Sequence, residues 1–224
     1  ICSIPTNSLN KTFATFMRAV DKNSYVESVK AQFMLLPSYR RFPNDEEFAK
    51  HFKTRDLYNS PRRSYWLRKI ENFERKEHVE ISEYTVEHIM PQNPNLSEAW
   101  RRELGENWVE VQETWLHTLG NLTLTGYNSE YSDRPFSEKR DMKDGFRDSP
   151  IRLNQSLRMV DTWNESAIKK RANIICDIAE QIWRAPNLPK AVIDSYRPQT
   201  EKKDNYSISD FRYLAFTNPS FSAH

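Results

Sequence analysis

The chain has 224 residues, of which 38% are hydrophobic and 29% are charged, and its net charge is only +2. Its 12 Phe, 10 Tyr and 6 Trp argue for a hydrophobic core and against disorder, whereas the presence of only four Gly disfavours Gly-rich phosphate loops and turn-dense all-β folds. So small a net charge excludes attraction of nucleic acid by a global basic field, so any such contact must come from local basic patches.

The sequence lacks the patterns that are typical of nucleotide-binding sites, structural zinc sites and membrane segments. No nucleotide-binding pattern of the GxGxxG or GxxxxGK[ST] type occurs. Cys2 and Cys176 form no CxxC pair, which disfavours a structural zinc site and indicates reduced thiols. No long apolar run and no signal peptide is visible, so we expect a soluble, cytoplasmic protein without a membrane segment. Because the chain begins with Ile-Cys-Ser, we expect a fragment from which a partner domain is missing.

The first 80 residues are predicted to be helical. Asn44 begins a pattern that resembles a capping box, and Ser60 with Pro61 predicts the start of a further helix that carries Arg62 and Arg63. The basic residues of that helix are interpreted either as a solvated face or as contacts to nucleic acid. Before them, apolar residues recur at helical spacing in two runs, which comprise Phe13, Phe16, Met17 and Val20, then Val26, Val29, Phe33 and Leu36.

The middle of the chain is predicted to contain two short strands. Residues 84–89 and 121–125 are rich in β-branched or aromatic residues, as strands are. The stretch between them is too long for a hairpin turn and is predicted to contain a helix that begins after Ser97. After the second strand comes a loop, and then a helix is predicted from Pro135 to near Gly145.

The last section is predicted to be helical and then extended. Residues 165–183 place apolar side chains on one stripe, which is typical of a helix packed against a core. From Ala185 onward, prolines and a polar run predict a linker. The segment YSISDFRYLAF near the C-terminus is interpreted as the start of a strand or helix whose partner element is missing.

Two adjacent titratable residues, Glu87 and His88, lie at the end of the first predicted strand. Neighbours on a regular strand point to opposite faces, so the two side chains are expected to diverge there. Pro91 cannot donate to a strand ladder, and it biases Met90 toward extended geometry. We therefore predict that residues 87–91 are irregular or lie at a strand terminus.

An ordered series of motifs follows these residues. It consists of EHIMPQ (87–92), LGNLTL (119–124), Asn128 and PFSEK (135–139), with SYWLRKIE before it and WNESAIKKRA after it. Over roughly residues 40–185 this series resembles the ββα-metal nucleases of the HNH superfamily, and in particular the HNH-like C-terminal domain of GmrSD-type, modification-dependent restriction enzymes. The resemblance implies a mainly α fold with a small, hairpin-like ββα-metal motif embedded between helical segments.

The implied organisation has four parts. Residues 1–80 form the helical N-terminal part of the nuclease domain, and residues 81–150 form its HNH core. Residues 151–185 add the C-terminal helices of the same domain, and residues 186–224 form a linker and tail.

The chemistry of phosphodiester hydrolysis suggests roles for the matched residues. His88 suits a general base, because an ordinary imidazole is largely neutral yet basic at cellular pH. Glu87 and Asn128 offer the hard oxygen ligands that Mg²⁺, or Mn²⁺, takes in small number. By resemblance Asn121 either orients the His88 ring or holds the loop.

Further residues are open to two interpretations. Lys139 and Arg140 follow the second strand on a helix, and like Arg62 and Arg63 they are interpreted either as phosphate contacts or as solvated residues. His117 lies four residues before Asn121 and either joins the site or has a packing or capping role.

The favoured function is a metal-dependent DNA endonuclease that nicks or cleaves DNA as the effector domain of an antiphage, modification-sensing restriction system. By resemblance its partner is an N-terminal ParB-like NTPase domain, whose signature is missing from these residues. Two alternatives stay open, namely a catalytically inactive nucleic-acid-binding module and an RNA-directed toxin nuclease.

Overall fold

The computed structural model describes residues 1–7, 9–37, 39–80 and 83–198. Within these ranges the chain is mainly helical with one two-stranded antiparallel sheet, which confirms the predicted fold class. The strands are β1 (Thr85–His88) and β2 (Leu122–Thr125). The α-helices are α1 (Leu9–Phe16), α2 (Tyr25–Met34), α3 (Asp45–Thr54), α4 (Arg63–Glu71), α5 (Glu98–Leu104), α6 (Trp108–Trp115), α7 (Asn128–Tyr131), α8 (Phe136–Asp141), α9 (Arg152–Gln155), α10 (Glu165–Ile182) and α11 (Lys190–Ser195), and 3-10 turns lie at Met17–Ala19 and Leu119–Asn121.

Two helices begin at the side-chain caps that the sequence predicts. The side chain of Asn44 accepts a hydrogen bond from the backbone N–H of Glu47 at 2.7 Å, and α3 follows. The hydroxyl of Ser97 accepts from the backbone N–H of Trp100 at 3.3 Å, and α5 follows. Each cap satisfies a backbone donor that has no partner within the helix, which confirms both predicted starts.

Helix α4 begins later than the sequence predicts. The Ser60 hydroxyl accepts from the backbone N–H of Arg62 at 3.3 Å, and the Ser60 carbonyl accepts from that of Arg63 at 3.1 Å. Ser60 and Pro61 therefore form a turn before the helix, and Arg62 takes the N-cap position. The predicted helix start at Ser60 and Pro61 was wrong, because the Ser60 hydroxyl accepts a hydrogen bond within the turn.

Helix α8 follows Pro135 as predicted but ends at Asp141, four residues before Gly145. Past its end the chain folds back, and the backbone N–H of Phe146 donates to the carbonyl of Lys139 at 3.0 Å. A Cβ at Gly145 would lie only 2.6 Å from that carbonyl, so the glycine permits the close return. This return fixes the turn of α8 that carries Lys139.

The C-terminal prediction is confirmed for α10 and corrected after it. Helix α10 ends one residue before the predicted end at Trp183. The segment predicted as linker contains α11, and the hydroxyl of Tyr196 just beyond it donates to Glu27 Oε1 of α2 at 2.9 Å. The segment YSISDFRYLAF lies outside the described residues.

Two groups of buried side chains form the core, and α10 contributes to both. One group brings α3 and α4 against β2, with Phe52, Leu67 and Ile175 as members. The other contains Trp100, Trp163 and the residues just after β1. The end of β1 therefore lies between the two groups, where it is shielded on both sides. Among the described helices, none has the length and apolar character needed to cross a membrane.

Candidate active site

The end of β1 is the point from which the candidate site is built. The two strands pair with Glu87 opposite Thr123 and His88 opposite Leu122. Strand β1 stops at His88, and the chain bends at the next two residues. This confirms the prediction that the strand terminates at the Glu-His pair. The two side chains then contact different partners, as neighbours on a strand should.

His88 is held in a cluster of rings. Its Nε2 lies 3.0 Å from Nδ1 of His117, and its ring centroid lies 4.3 Å from that of Tyr58 in an edge-on arrangement. Only 4% of its surface is exposed. Burial, followed by the nearby His117 and Lys139, lowers the pKa of His88 to about 3. The imidazole is therefore neutral at neutral pH, which is the state in which it can accept a proton.

Besides its contact with His88, His117 is held by the loop that precedes α4. The His117 carbonyl accepts from the backbone N–H groups of Leu57 at 2.9 Å and Tyr58 at 3.3 Å. The Tyr58 ring stacks on the His117 ring with a centroid separation of 5.2 Å and an interplanar angle of 11°. His117 therefore joins His88, which is the first of its two interpretations. No sequence signal identified Tyr58, because its contacts depend on how the α4 loop folds against the sheet.

Glu87 forms a buried ion pair with Lys139. The Lys139 ammonium donates to Glu87 Oε1 at 2.7 Å and also to the backbone carbonyls of His88 at 3.1 Å and Ile89 at 3.2 Å. Burial raises the pKa of Glu87 and lowers that of Lys139, while the attraction between the two opposes both changes. The ion pair thus ties α8 to the end of β1.

Two residues that the sequence suggested as phosphate contacts are engaged elsewhere. Lys139 is fully buried, so its ammonium does not face a ligand surface. Arg140 pairs with Asp141 and Asp161 and donates to the carbonyl of Val160, and its side chain is 12% exposed. Burial contradicts both the phosphate-contact and the solvated interpretation of Lys139. Nearby acceptors already satisfy the charged group of Arg140, whose phosphate contact stays a prediction that the proposal below does not use.

Arg62 and Arg63 are both exposed, and Arg63 contacts Tyr58, one of the rings packed against His88. The guanidinium of Arg63 lies 5.0 Å from the centre of the Tyr58 ring, and its Nη1 donates to the Tyr58 carbonyl at 3.0 Å. Because Tyr58 contacts His88, this places Arg63 one side chain away from His88. Both arginines therefore remain candidates for contact with a phosphate backbone.

Asn121 is fully buried and holds the loop after β1 by hydrogen bonds. Its Oδ1 accepts from the backbone N–H of Met90 at 2.8 Å and from Trp163 Nε1 at 3.1 Å. Its Nδ2 donates to the carbonyls of Met90 and Leu116, each at 3.0 Å. These bonds hold the residues that follow His88, and among the described contacts of Asn121 none goes to the imidazole.

Asn128 lies at the start of α7 and reaches back to β1. Its Nδ2 donates to Thr85 Oγ1 at 3.1 Å and to the Val86 carbonyl at 3.2 Å. The side chain is thereby held beside the residue that precedes Glu87, and both bonds use the amide nitrogen. Among the described contacts of Asn128 none uses the amide oxygen, which is a hard donor of the kind that Mg²⁺ or Mn²⁺ takes.

The donor set of Glu87 and Asn128 fits a hard divalent cation in kind, since both offer oxygen. It is small: the described residues contain no group of three or more His, Cys, Asp and Glu side chains arranged to hold a metal. A cation bound by so few protein ligands needs water and a phosphate to complete its coordination, which is how Mg²⁺ is commonly held. The Lys139 ammonium also offsets part of the negative charge of Glu87, so we expect weak affinity without DNA.

Comparison with known families defines the class of this chain. It is part of a restriction endonuclease, which is a nuclease and hydrolase whose substrate is DNA. More specifically, it belongs to the family described as the C-terminal domain of GmrSD restriction endonucleases, whose family model matches residues 42–178. This confirms the family resemblance seen in the motifs. Neither the curated proteins nor the solved structures searched contain a significant match.

Proposed function

We propose that this chain is an HNH-type DNA endonuclease domain that hydrolyses phosphodiester bonds with the help of Mg²⁺ or Mn²⁺. The observation that carries the proposal is the nearly buried imidazole of His88, held by the ring of His117 at the end of β1. A general base must be oriented toward the proton that it accepts, and this arrangement holds the His88 ring in one orientation. The same family membership supports a role in an antiphage restriction system, in the cytoplasm, together with an N-terminal ParB-like NTPase domain.

His88 has one task in the proposed reaction. As a water molecule attacks phosphorus, its proton passes to the imidazole, the new oxygen–phosphorus bond forms, and the bond to the 3′ oxygen breaks. The leaving oxygen takes a proton from solvent. When bound, the cation supplies Lewis-acid stabilisation of the charge that grows on the phosphate and leaving oxygens.

Glu87 and Asn128 are the proposed cation ligands, and Asn121 keeps the loop after His88 in place. Arg62 and Arg63 are the proposed contacts to the DNA backbone, since both side chains are exposed and Arg63 lies against Tyr58. Lys139 acts inside the protein, where it keeps the Glu87 carboxylate in one position.

A nicking assay on supercoiled plasmid tests the base. With Mg²⁺ or Mn²⁺ present, we expect His88→Ala to reduce the nicking rate by roughly 10²- to 10⁴-fold, the usual contribution of a general base. His78→Ala is the matched control, since His78 is exposed. Equal nicking by wild type and His88→Ala would refute the role of His88. DNA binding without nicking in either protein would favour an inactive binding module, and activity only on an RNA substrate would favour the toxin nuclease.

Metal binding is tested separately from activity. Titration of the metal-free protein with Mn²⁺, followed by electron paramagnetic resonance, should show weak binding that a short DNA duplex strengthens. Glu87→Gln and Asn128→Ala should each weaken that binding, because each removes one of the few hard oxygen donors. Unchanged Mn²⁺ binding in both variants would show that the ion lies elsewhere.

A further inference from the structure

The contact between His88 and His117 constrains which ring nitrogens carry protons. A hydrogen bond between His88 Nε2 and His117 Nδ1, 3.0 Å apart, requires a proton on one nitrogen and a lone pair on the other. If His117 donated, neutral His88 would carry its proton on Nδ1 and have no lone pair left for water. If His88 donates, its Nδ1 keeps a free lone pair. Only the second arrangement gives a base.

We propose that His117 is a positioning residue that accepts a hydrogen bond from His88 Nε2–H and thereby keeps the Nδ1 lone pair of His88 available. This inference rests on the proposed nuclease function and deepens it. His117 does not touch the substrate and takes no proton. It fixes the tautomer and the ring plane of the residue that does.

The surroundings of His117 hold it in place for this task. Two backbone N–H groups, of Leu57 and Tyr58, donate to its carbonyl, and Leu57 is buried in the core. The Tyr58 ring lies against both imidazoles, parallel to that of His117 and steeply inclined to that of His88. One loop therefore fixes the backbone of His117 and the planes of both rings.

The opposite nitrogen of His88 is left for chemistry. Among the described residues, Nδ1 of His88 has no hydrogen-bond partner, whereas Nε2 has His117. His88 is nearly buried, so a disordered shell of water is not available to set its orientation. The protein must therefore supply the partner that selects one tautomer, and His117 is the side chain in position to do so.

Nitrogen chemical shifts test the tautomer without any need for activity. In the full 224-residue chain with a chelator present, ¹⁵N shifts of His88 should show a protonated Nε2 and an unprotonated Nδ1. His117→Asn should keep this pattern, because its side-chain oxygen can accept in place of Nδ1. His117→Leu should give a mixture of tautomers. A wild-type His88 protonated on Nδ1 would overturn the proposal.

Kinetics supply the second readout. We expect His117→Leu to lower kcat by about 10- to 100-fold, as loss of an orienting partner commonly does, with KM nearly unchanged. His117→Asn should recover most of kcat, and His78→Leu should match the wild type. Full kcat in His117→Leu, or equal loss in the Asn and Leu variants, would overturn the proposal.

The nitrogen chemical shifts and the kinetics together distinguish a failure of this proposal from a failure of the proposed nuclease function. A wild-type chain with protonated Nε2 on His88 but no hydrolysis of DNA or RNA would overturn the nuclease assignment while supporting the hydrogen-bond direction. If His117→Leu does not fold, the shifts of wild type and His117→Asn decide the matter, since both keep an acceptor at the same position.

Discussion

At the scale of single residues, Lys139 places a charge in a buried part of the site, where the loss of hydration costs free energy. Its ammonium is fully buried and contacts the Glu87 carboxylate and two backbone carbonyls. A buried charge is tolerated only where its partners replace water, and removal of one member leaves the other uncompensated. Lys139 is therefore a structural residue on whose charge the position of Glu87 depends.

Replacement of Lys139 by Met should lower the free energy of unfolding by roughly 3–5 kcal/mol, because it leaves the Glu87 carboxylate buried without its partner. Urea denaturation followed by circular dichroism measures this change. The double variant Glu87→Gln with Lys139→Met should recover part of the loss. Lys143→Met is the control, since Lys143 is exposed. A loss no larger than that of the control would contradict the buried pair.

The histidine at the end of β1 should make folding sensitive to acid. The pKa of His88 is about 3 in the folded chain and about 6.5 when unfolded, so between these values only the unfolded chain binds the extra proton. Stability contributed by neutral His88 is therefore complete above pH 6.5 and is lost as pH falls below it, by at most about 1.4 kcal/mol per pH unit.

The measurement compares urea denaturation at pH 7 and pH 5 with a chelator present. His88→Gln should lose less stability on acidification than the wild type, because its side chain does not titrate. His78→Gln is the matched control and should behave as the wild type does, since His78 is exposed. An equal pH dependence in wild type and His88→Gln would refute the buried neutral imidazole.

At the scale of elements, the contact between α10 and the 3-10 turn before β2 positions the loop that carries Asn121. The backbone of the turn approaches α10 so closely that a Cβ at Gly120 would lie 2.4 Å from the Ile168 carbonyl. Arg171 of α10 then donates to the carbonyls of Gly120 and Leu122, both at 2.8 Å. Helix α10 thus fixes the 3-10 turn in two ways, by close packing at Gly120 and by the hydrogen bonds of Arg171.

Gly120→Ala should lower the free energy of unfolding by about 1–3 kcal/mol or more, because the added methyl group meets backbone that cannot move aside easily. Gly126→Ala is a matched control, since a Cβ there meets no atom within 4 Å. That control should change stability by no more than about 1 kcal/mol. Thermal unfolding of the two variants decides the matter, and similar melting temperatures would contradict the close approach.

Local sequence patterns predicted the positions of several helices and strands, but they predicted few of the contacts between these elements. The caps at Asn44 and Ser97 and the end of β1 at His88 follow from residues within a few positions of one another, so they could be predicted. The α4 start was missed because a turn competes for the same hydroxyl. Helix α11 was missed because its surroundings have the composition of a linker.

At the scale of the whole molecule, the site depends on pairs that are distant in sequence. Lys139 lies 52 residues from Glu87, and His117 lies 29 residues from His88. The motif series indicated that these segments meet, but not which charged group would be buried and which exposed. In the sequence, Lys139 and Arg140 look the same as Arg62 and Arg63, because each is a pair of adjacent basic residues near a helix. Only the packing of α8 shows that the first pair is engaged with other protein groups, whereas the second pair is exposed.

A chain with a net charge of +2 has no strong overall field for DNA, so its affinity must depend on a few local cations. We expect Arg62 and Arg63 to be two of them, because both are exposed and adjacent in the chain, and Arg63 contacts Tyr58. Each cation that neutralises a phosphate contributes about 0.9 to the slope of the logarithm of DNA affinity against the logarithm of salt concentration.

The double variant Arg62→Gln with Arg63→Gln should therefore reduce that slope by about 1.8, measured by fluorescence anisotropy on a short duplex across a range of salt concentrations. A variant with Arg18→Gln and Lys22→Gln removes the same charge from the exposed N-terminal segment and should leave the slope close to that of the wild type. An equal reduction in both double variants would mean that binding senses total charge. A reduction confined to the first pair would place the DNA backbone beside Tyr58, on the side from which it can reach His88.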